Sequence, residues 1–343
     1  MNTHAIRAGL KTHLPGLAVA GLIGLVATGL AQAPWLTHLG IGALTVAIAI
    51  GMVAGNVVPQ GWSVAAGPGV LFAQRGLLRL GVGLYGLRLT VQQLGAVGLR
   101  GVLIDSLVIV STLALALWAG TRWFKLDRDT ALLVGTGSAI CGAAAVMAAE
   151  PVLRAPPHKV AVAVATVTVF GSLAIFVYPL LFPLLGLQQA QFGVYIGSTV
   201  HEVAQVVAAG KAVSSATADE AVVVKLIRVA LLAPVLMLLA RLMRPGPGVA
   251  AGPKAPLLPW FIGLFAVSAV VNSLGLVGPE LHAALMSLDN GLLAVAMAAL
   301  GWGSSIRLMR LAGIRPLLLG GVLFAFLLVG GYGINRAVTV LFA

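Results

Sequence analysis

Two stretches of this 343-residue chain carry most of the groups that could bind or move a charged solute. The first, ALLVGTGSAICGAAAVMAAEPVL at 131–153, sets Gly135, Thr136, Gly137, Ser138, Cys141 and Gly142 into an apolar run. Each interior glycine costs a helix about 1 kcal/mol relative to alanine. A helix that unwinds at mid-membrane to offer backbone groups to a solute would use that cost. Close helix packing through small residues would use it as well. Residues 301–306, GWGSSI, echo GTGSAI at 135–140, which adds Gly301, Gly303, Ser304 and Ser305 to the candidate solute-binding set. The second stretch, GSTVHEVAQVVAAG at 197–210, holds Ser198, Thr199, His201, Glu202 and Gln205. Ser198 and Glu202 share one helix face by their spacing, and His201 and Gln205 another. A histidine beside a carboxylate can take up and release a proton near neutral pH; hydrogen bonding between neighbouring helices is the plainer role. Ser198 and Gln205 join the solute-binding candidates, His201 and Glu202 the candidates for coupling.

Three more ionisable residues sit inside apolar runs, where each is a functional hypothesis by default. Asp105 could pair with a basic group or carry a coupling proton. Lys225 and Arg228, three apart, share a helix face. Snorkelling is the ordinary fate of such cations, but Arg228 lies far from either end of its run; pairing with Asp219, Glu220 or Asp105 is the other structural option. Together with the positive ends of broken helices, these cations favour an anionic solute. His201 and Glu202 have no further ligands nearby, so no metal site is expected. No Walker A, HExxH or GxSxG pattern occurs, so neither ATP hydrolysis nor another enzymatic activity is expected, and no cofactor.

The elements that must position these residues are membrane helices. The chain is 60% hydrophobic and 9% charged, with a mean hydropathy of +1.06; soluble domains average about 25% charged residues. The formal net charge of +12 is spread singly between apolar runs, as topology signals rather than a nucleic-acid patch. The spacing predicts an all-α polytopic membrane protein with about eleven spans, near 14–31, 40–58, 70–90, 99–120, 131–153, 158–183, 190–210, 219–243, 258–276, 284–306 and 314–340. One extra N-terminal helix (1–35), retained rather than cleaved as a signal peptide, would precede two inverted repeats of five spans (36–186 and 187–343), with a Gly/Pro-rich linker at 244–257. Spans five and ten would then be equivalent, antiparallel and broken, crossing at mid-membrane. GSAICGAAAVMAA at 137–149 also echoes GSTVHEVAQVVAA at 197–209, but as crossing spans those two would run parallel and could not be an inverted pair. Twelve loop Lys and Arg residues against five place the N-terminus in the cytoplasm and the C-terminus in the periplasm.

GSAICGAAAVMAAEPVLRA at 137–155, GSTVHEVAQVVAAG at 197–210, VVKLIRVALLAP at 223–234 and RLGVGLYGLRL at 79–89 resemble the UPF0324 family of YeiH-like membrane proteins, named for sulfate export. The resemblance covers essentially the whole chain. It implies a fold like that of sodium/proton antiporters and of bile-acid and auxin carriers: ten core helices in two inverted repeats, with two broken helices crossing at mid-membrane. The expected protein is a secondary transporter of the bacterial inner membrane. It would carry a small anion (sulfate, sulfite, or an organic sulfonate or carboxylate) by alternating access, one bundle moving against the other. H+ or Na+ is the candidate coupling ion and a homodimer the candidate assembly. An anion channel with a Gly/Ser filter is the main rival, and a non-transport membrane protein the second.

Overall fold

The computed structural model describes residues 3–34, 36, 42–242, 259–304 and 313–342. Among these residues every regular element is helical. Ser305, the linker at 244–257 and the basic residues Arg244, Lys254, Arg307 and Arg310 lie outside them. Six helical stretches are long and apolar enough to cross a membrane: Thr12–Leu30, Val97–Arg122, Pro157–Leu185, Ser215–Leu242, Pro279–Gly303 and Ile314–Leu341.

The chain forms two compact units, residues 1–93 with 260–306, and residues 94–259 with 307–343. The first contains α1 (Thr3–Leu30), α2 (Ala43–Val57), α3 (Gln60–Phe72), α4 (Leu78–Tyr85), α13 (Trp260–Ser273) and α14 (Pro279–Gly303). A π-helical turn, Ala73–Leu77, joins α3 to α4. Glycines let the backbones close up here: a Cβ on Gly301 would sit 2.1 Å from the Ile48 carbonyl, and one on Gly51 at 2.1 Å from that of Ala298. Arg88 is tied to Asp289 at 2.8 Å, donates to Asn290 and stacks over Tyr85.

The second unit contains α5 (Val91–Arg122, kinked at Gly98), α6 (Arg128–Ala139), α7 (Ala143–Leu153), α8 (Pro157–Leu185), α9 (Gln189–Thr199), α10 (Val203–Lys211), α11 (Ser215–Ala230), α12 (Leu232–Leu242) and α15 (Ile314–Leu341). The stretch 131–153, expected as one crossing, does not cross. Asp127 caps α6 by accepting from the Thr130 amide, and the same carboxylate receives Lys159 of α8 at 2.6 Å; Lys159 also reaches Asp129 at 3.3 Å. A straight run of more than twenty helical residues would set these ends roughly 30 Å apart, at 1.5 Å per residue. Instead α6 goes in and α7 comes back. Arg154, at φ 52, and Pro156–Pro157 then end α7 and launch α8.

The stretch 190–210 behaves the same way. Ser214, the N-cap of α11, donates to the Gln189 side chain at 2.9 Å, and Thr217 donates to the Gln189 carbonyl at 3.2 Å. The start of α9 therefore lies beside the start of α11, and α10 is the return limb. The long α8 shows which end each hairpin enters. Its start holds the open end of α6–α7, whereas near its far end Phe182 packs on Phe192 of α9. Between these, Gly137 of the first hairpin abuts Val167, and Gln205 of the second abuts Gly171. The two hairpins enter from opposite ends of α8 and meet near its middle, so α6 and α9 run in opposite directions. Segments 137–149 and 197–209, discounted above as parallel crossings, are thus the antiparallel pair.

The tenth span also differs from expectation. It is a continuous helix, α14, up to Gly303 with Ser304 as its C-cap. The second break falls in span seven, at Val200–Glu202 between α9 and α10.

Candidate functional site

The two hairpin tips, residues 140–142 and 200–202, build the site. The first tip needs a glycine. Gly142 has φ +66, and a Cβ there would lie 2.4 Å from the Glu202 side chain. The second has none: Val200 and Glu202 are simply extended. There the turn is fixed by a capping box, in which Glu202 accepts from the Gln205 amide while Gln205 accepts from the Glu202 amide at 3.0 Å. The sequence signal for this break was Glu-x-x-Gln at 202–205, read above only as helix-face pairs.

Each tip leaves a helix C-terminus with unsatisfied carbonyls, and two cations of α11 satisfy them. Lys225 Nζ donates to the Ile140 and Val200 carbonyls, both at 2.6 Å. Arg228 donates from Nε to the Ala139 carbonyl at 2.5 Å, from Nη2 to that of Ser138 at 2.7 Å, and from Nη1 to that of Val200 at 3.2 Å. Both side chains are fully buried. They neither snorkel nor form an ion pair with Asp219 or Glu220; they stitch one tip to the other. An ammonium has three protons and a guanidinium five, so one and two of these, respectively, have no protein acceptor.

Glu202 spans the same gap from the acidic side. Its Oε1 accepts from the Ala143 amide, the first of α7, at 3.3 Å, while the capping box ties it to the start of α10. One carboxylate thus sits where two helix N-termini converge, the place such termini offer to an anion. Asp105 of α5 is fully buried, neither carboxyl oxygen has a hydrogen-bond partner, and it feels the charges of Arg228 and Lys225. His201 is buried with both ring nitrogens unpartnered and its ring 6.5 Å from that of Phe324 on α15. Ser138 Oγ and Gln205 Nε2 are likewise buried and unpartnered. Two cations, two carboxylates and several uncommitted polar atoms are therefore gathered in one unit.

The other candidates are placed less suggestively. Thr136 Oγ1 donates back to the Leu132 carbonyl. Gly135 and Gly137 serve packing, against Ala116 and against Val146 and Val167. Cys141 is buried at the first tip. Ser198 receives a hydrogen bond from Asn335 of α15 at 2.9 Å. Gly301, Gly303 and Ser304 belong to the first unit, where Ser304 donates to the Leu300 carbonyl and its own carbonyl receives Asn56. The echo between 135–140 and 301–306 therefore does not fall in one unit. Among the described residues no cluster of three His, Cys, Asp or Glu could hold a metal.

Long apolar helices around two opposed, in-turning hairpins with a charged junction define the class: a polytopic helical membrane protein whose polar residues are kept for its interior. The chain belongs to the family described as conserved hypothetical protein 698, which matches residues 15–320, and whose curated relatives carry the name UPF0324. It is 48% identical to the UPF0324 inner membrane protein YeiH of Escherichia coli K12, over 95% of this chain and 94% of that protein. A UPF0324 membrane protein of Yersinia pestis is also 48% identical, with 95% and 93% covered, and one of Pseudomonas aeruginosa 47%, with 96% and 95% covered. No solved structure matches the chain.

Proposed function

We propose that this protein is a secondary active transporter of a small anion across the bacterial inner membrane, with its binding site at the hairpin junction of the second unit. The observation that carries this reading is the meeting of two hairpins from opposite ends at a buried, charged junction. Non-helical backbone at membrane depth persists only where protein buries it or it lines a polar cavity. Transporter sites are built in this way, from helix termini that offer amides and carbonyls to solute and coupling ion. Anion preference follows from the uncommitted protons of Lys225 and Arg228, joined by Ser138 Oγ and Gln205 Nε2. Alternating access fits hairpins that enter from opposite ends, since each can guard the junction from its own side. The two hairpins are the inverted elements in this reading, and the chain crosses the membrane nine times. Arg154 and Lys159 then move to the inner side, and the loop asymmetry of basic residues becomes fourteen to three, with a cytoplasmic N-terminus and a periplasmic C-terminus.

The test is counterflow in proteoliposomes preloaded with sulfate, sulfite, ethanesulfonate or acetate. Saturable uptake of the labelled anion, stimulated by the same anion inside, is the expected result. Flux without trans-stimulation would identify a channel, and no flux for any of the four would overturn the reading.

A further inference from the structure

The Glu202 carboxylate occupies a position that an oxyanion would otherwise take. It is negative, it bridges the start of α7 at Ala143 and the start of α10 at Gln205, and it is almost wholly buried. We propose that Glu202 is a tethered competitor for the transported anion, so that one proton must be bound for each anion admitted. This rests on the transport reading and assigns the subsite and the coupling within it.

The step needs no other reagent. A proton adds to a Glu202 carboxylate oxygen, which ceases to be a charged acceptor. The Ala143 and Gln205 amides turn from it to an oxygen of the incoming anion. On release the proton leaves and the carboxylate returns to the two amides. Oxyanions with at least two acceptor oxygens, sulfate, sulfonate or carboxylate, match two amides that converge from different helices.

Two further observations point to a ligand here. Gln205 Nε2 is fully buried and unpartnered, yet its amide is fixed beside Glu202 by the bond from Oε1 to the Glu202 amide and held against Gly171. A buried donor left idle costs about 1–3 kcal/mol, a cost an anion acceptor would remove. The charge inventory fits as well. Facing Glu202 are Lys225 and Arg228 from α11, Cys141 from the first tip, and His201 from its own loop, with Asp105 of α5 behind the two cations. From α8 and α15 the neighbours are Gly171, Val167 and Phe324, none of which titrates. Replacing a carboxylate by an anion plus a protonated carboxyl preserves the charge balance of this cluster, whereas adding an unaccompanied anion would not.

The experiment is calorimetric titration of the purified full chain with sulfate, ethanesulfonate and acetate, in pairs of buffers differing in ionisation enthalpy. In wild type, binding should take up one proton per anion, and affinity should fall about tenfold per pH unit on the alkaline side. Glu202→Gln, which keeps the size and the hydrogen-bonding oxygen, should bind with no proton uptake and a flat pH profile. Glu202→Asp, which restores the carboxyl, should restore the proton. Anion binding by wild type with no proton taken up overturns this proposal and leaves the transport reading standing, as does Glu202→Gln binding with the wild-type proton count. No binding of any of the three anions at any pH overturns both. The proton count of wild type is decisive by itself, whatever the stability of the variants.

Discussion

Lys225 and Arg228 stand out in the sequence as charges where none should be, and the structure gives them a specific task. They hold the carbonyls of Ser138, Ala139, Ile140 and Val200, groups that would otherwise be buried without a donor. Each unsatisfied acceptor costs about 1–3 kcal/mol, so Arg228→Met should lower the denaturation midpoint of the purified protein by several kcal/mol. Arg228→Lys should recover only part of this, because an ammonium on a shorter reach cannot serve three carbonyls at once. A full rescue by lysine would mean that charge, not the fork, holds the tips. Gly142 is the complementary case. Its positive φ and the 2.4 Å approach to Glu202 leave no room for a Cβ, so Gly142→Ala should cost about 1–3 kcal/mol of strain and abolish transport while membrane insertion persists. Wild-type transport by that variant, at normal expression, would remove the first tip from the mechanism.

At the scale of elements, each hairpin is closed at its open end by polar ties. Partial burial pushes the Asp127 carboxyl up, but hydrogen bonds from Lys159 and Thr130 outweigh this and hold it down at about 2. A depressed folded pKa contributes stability above the unfolded value of about 3.9, and that contribution is lost as pH falls towards the folded value. Asp127→Asn keeps the N-cap, since asparagine caps as well as aspartate, but loses the charge. The melting temperature of wild type should therefore exceed that of Asp127→Asn at neutral pH, and the gap should close between about pH 4 and pH 2. A gap independent of pH would show that the ion pair contributes nothing to hairpin closure. The second hairpin is tied by Gln189, Ser214 and Thr217, which carry no charge, so this dependence belongs to the first alone.

For the whole molecule, hairpins and crossings make opposite predictions about the loops. Were 131–153 a crossing, His158 would lie on the far side from Asp127. With a hairpin it lies on the same, cytoplasmic side, and Gln188, beyond α8, on the periplasmic one. Both residues are exposed. Since Cys141 is the only cysteine, a Cys141→Ala background gives clean reporters. His158→Cys should react with an impermeant maleimide only in inside-out vesicles, and Gln188→Cys only in intact, outer-membrane-permeabilised cells. The reverse pattern would restore eleven crossings.

The sequence alone determined that the chain lives in a membrane, because a 60% hydrophobic composition leaves no soluble alternative. It also determined the break at Gly142, because clustered glycines weaken a helix whatever surrounds it, and it singled out His201, Glu202, Asp105, Lys225 and Arg228, because ionisable groups in apolar runs are costly anywhere. The resemblance to UPF0324 proteins was legible for the same reason: its strings are local. Only the tertiary structure decided that 131–153 and 190–210 turn back. A run of some twenty apolar residues meets the length requirement for crossing whether or not it folds on itself. The evidence for return lies in Lys159 with Asp127 and Ser214 with Gln189, pairs 32 and 25 residues apart. That single fact reverses the relative direction of α6 and α9, so the echo between 137–149 and 197–209 becomes the structural pair. It also brings the carbonyls of one tip to cations encoded some 85–90 residues later, a contact that no spacing along the chain could announce.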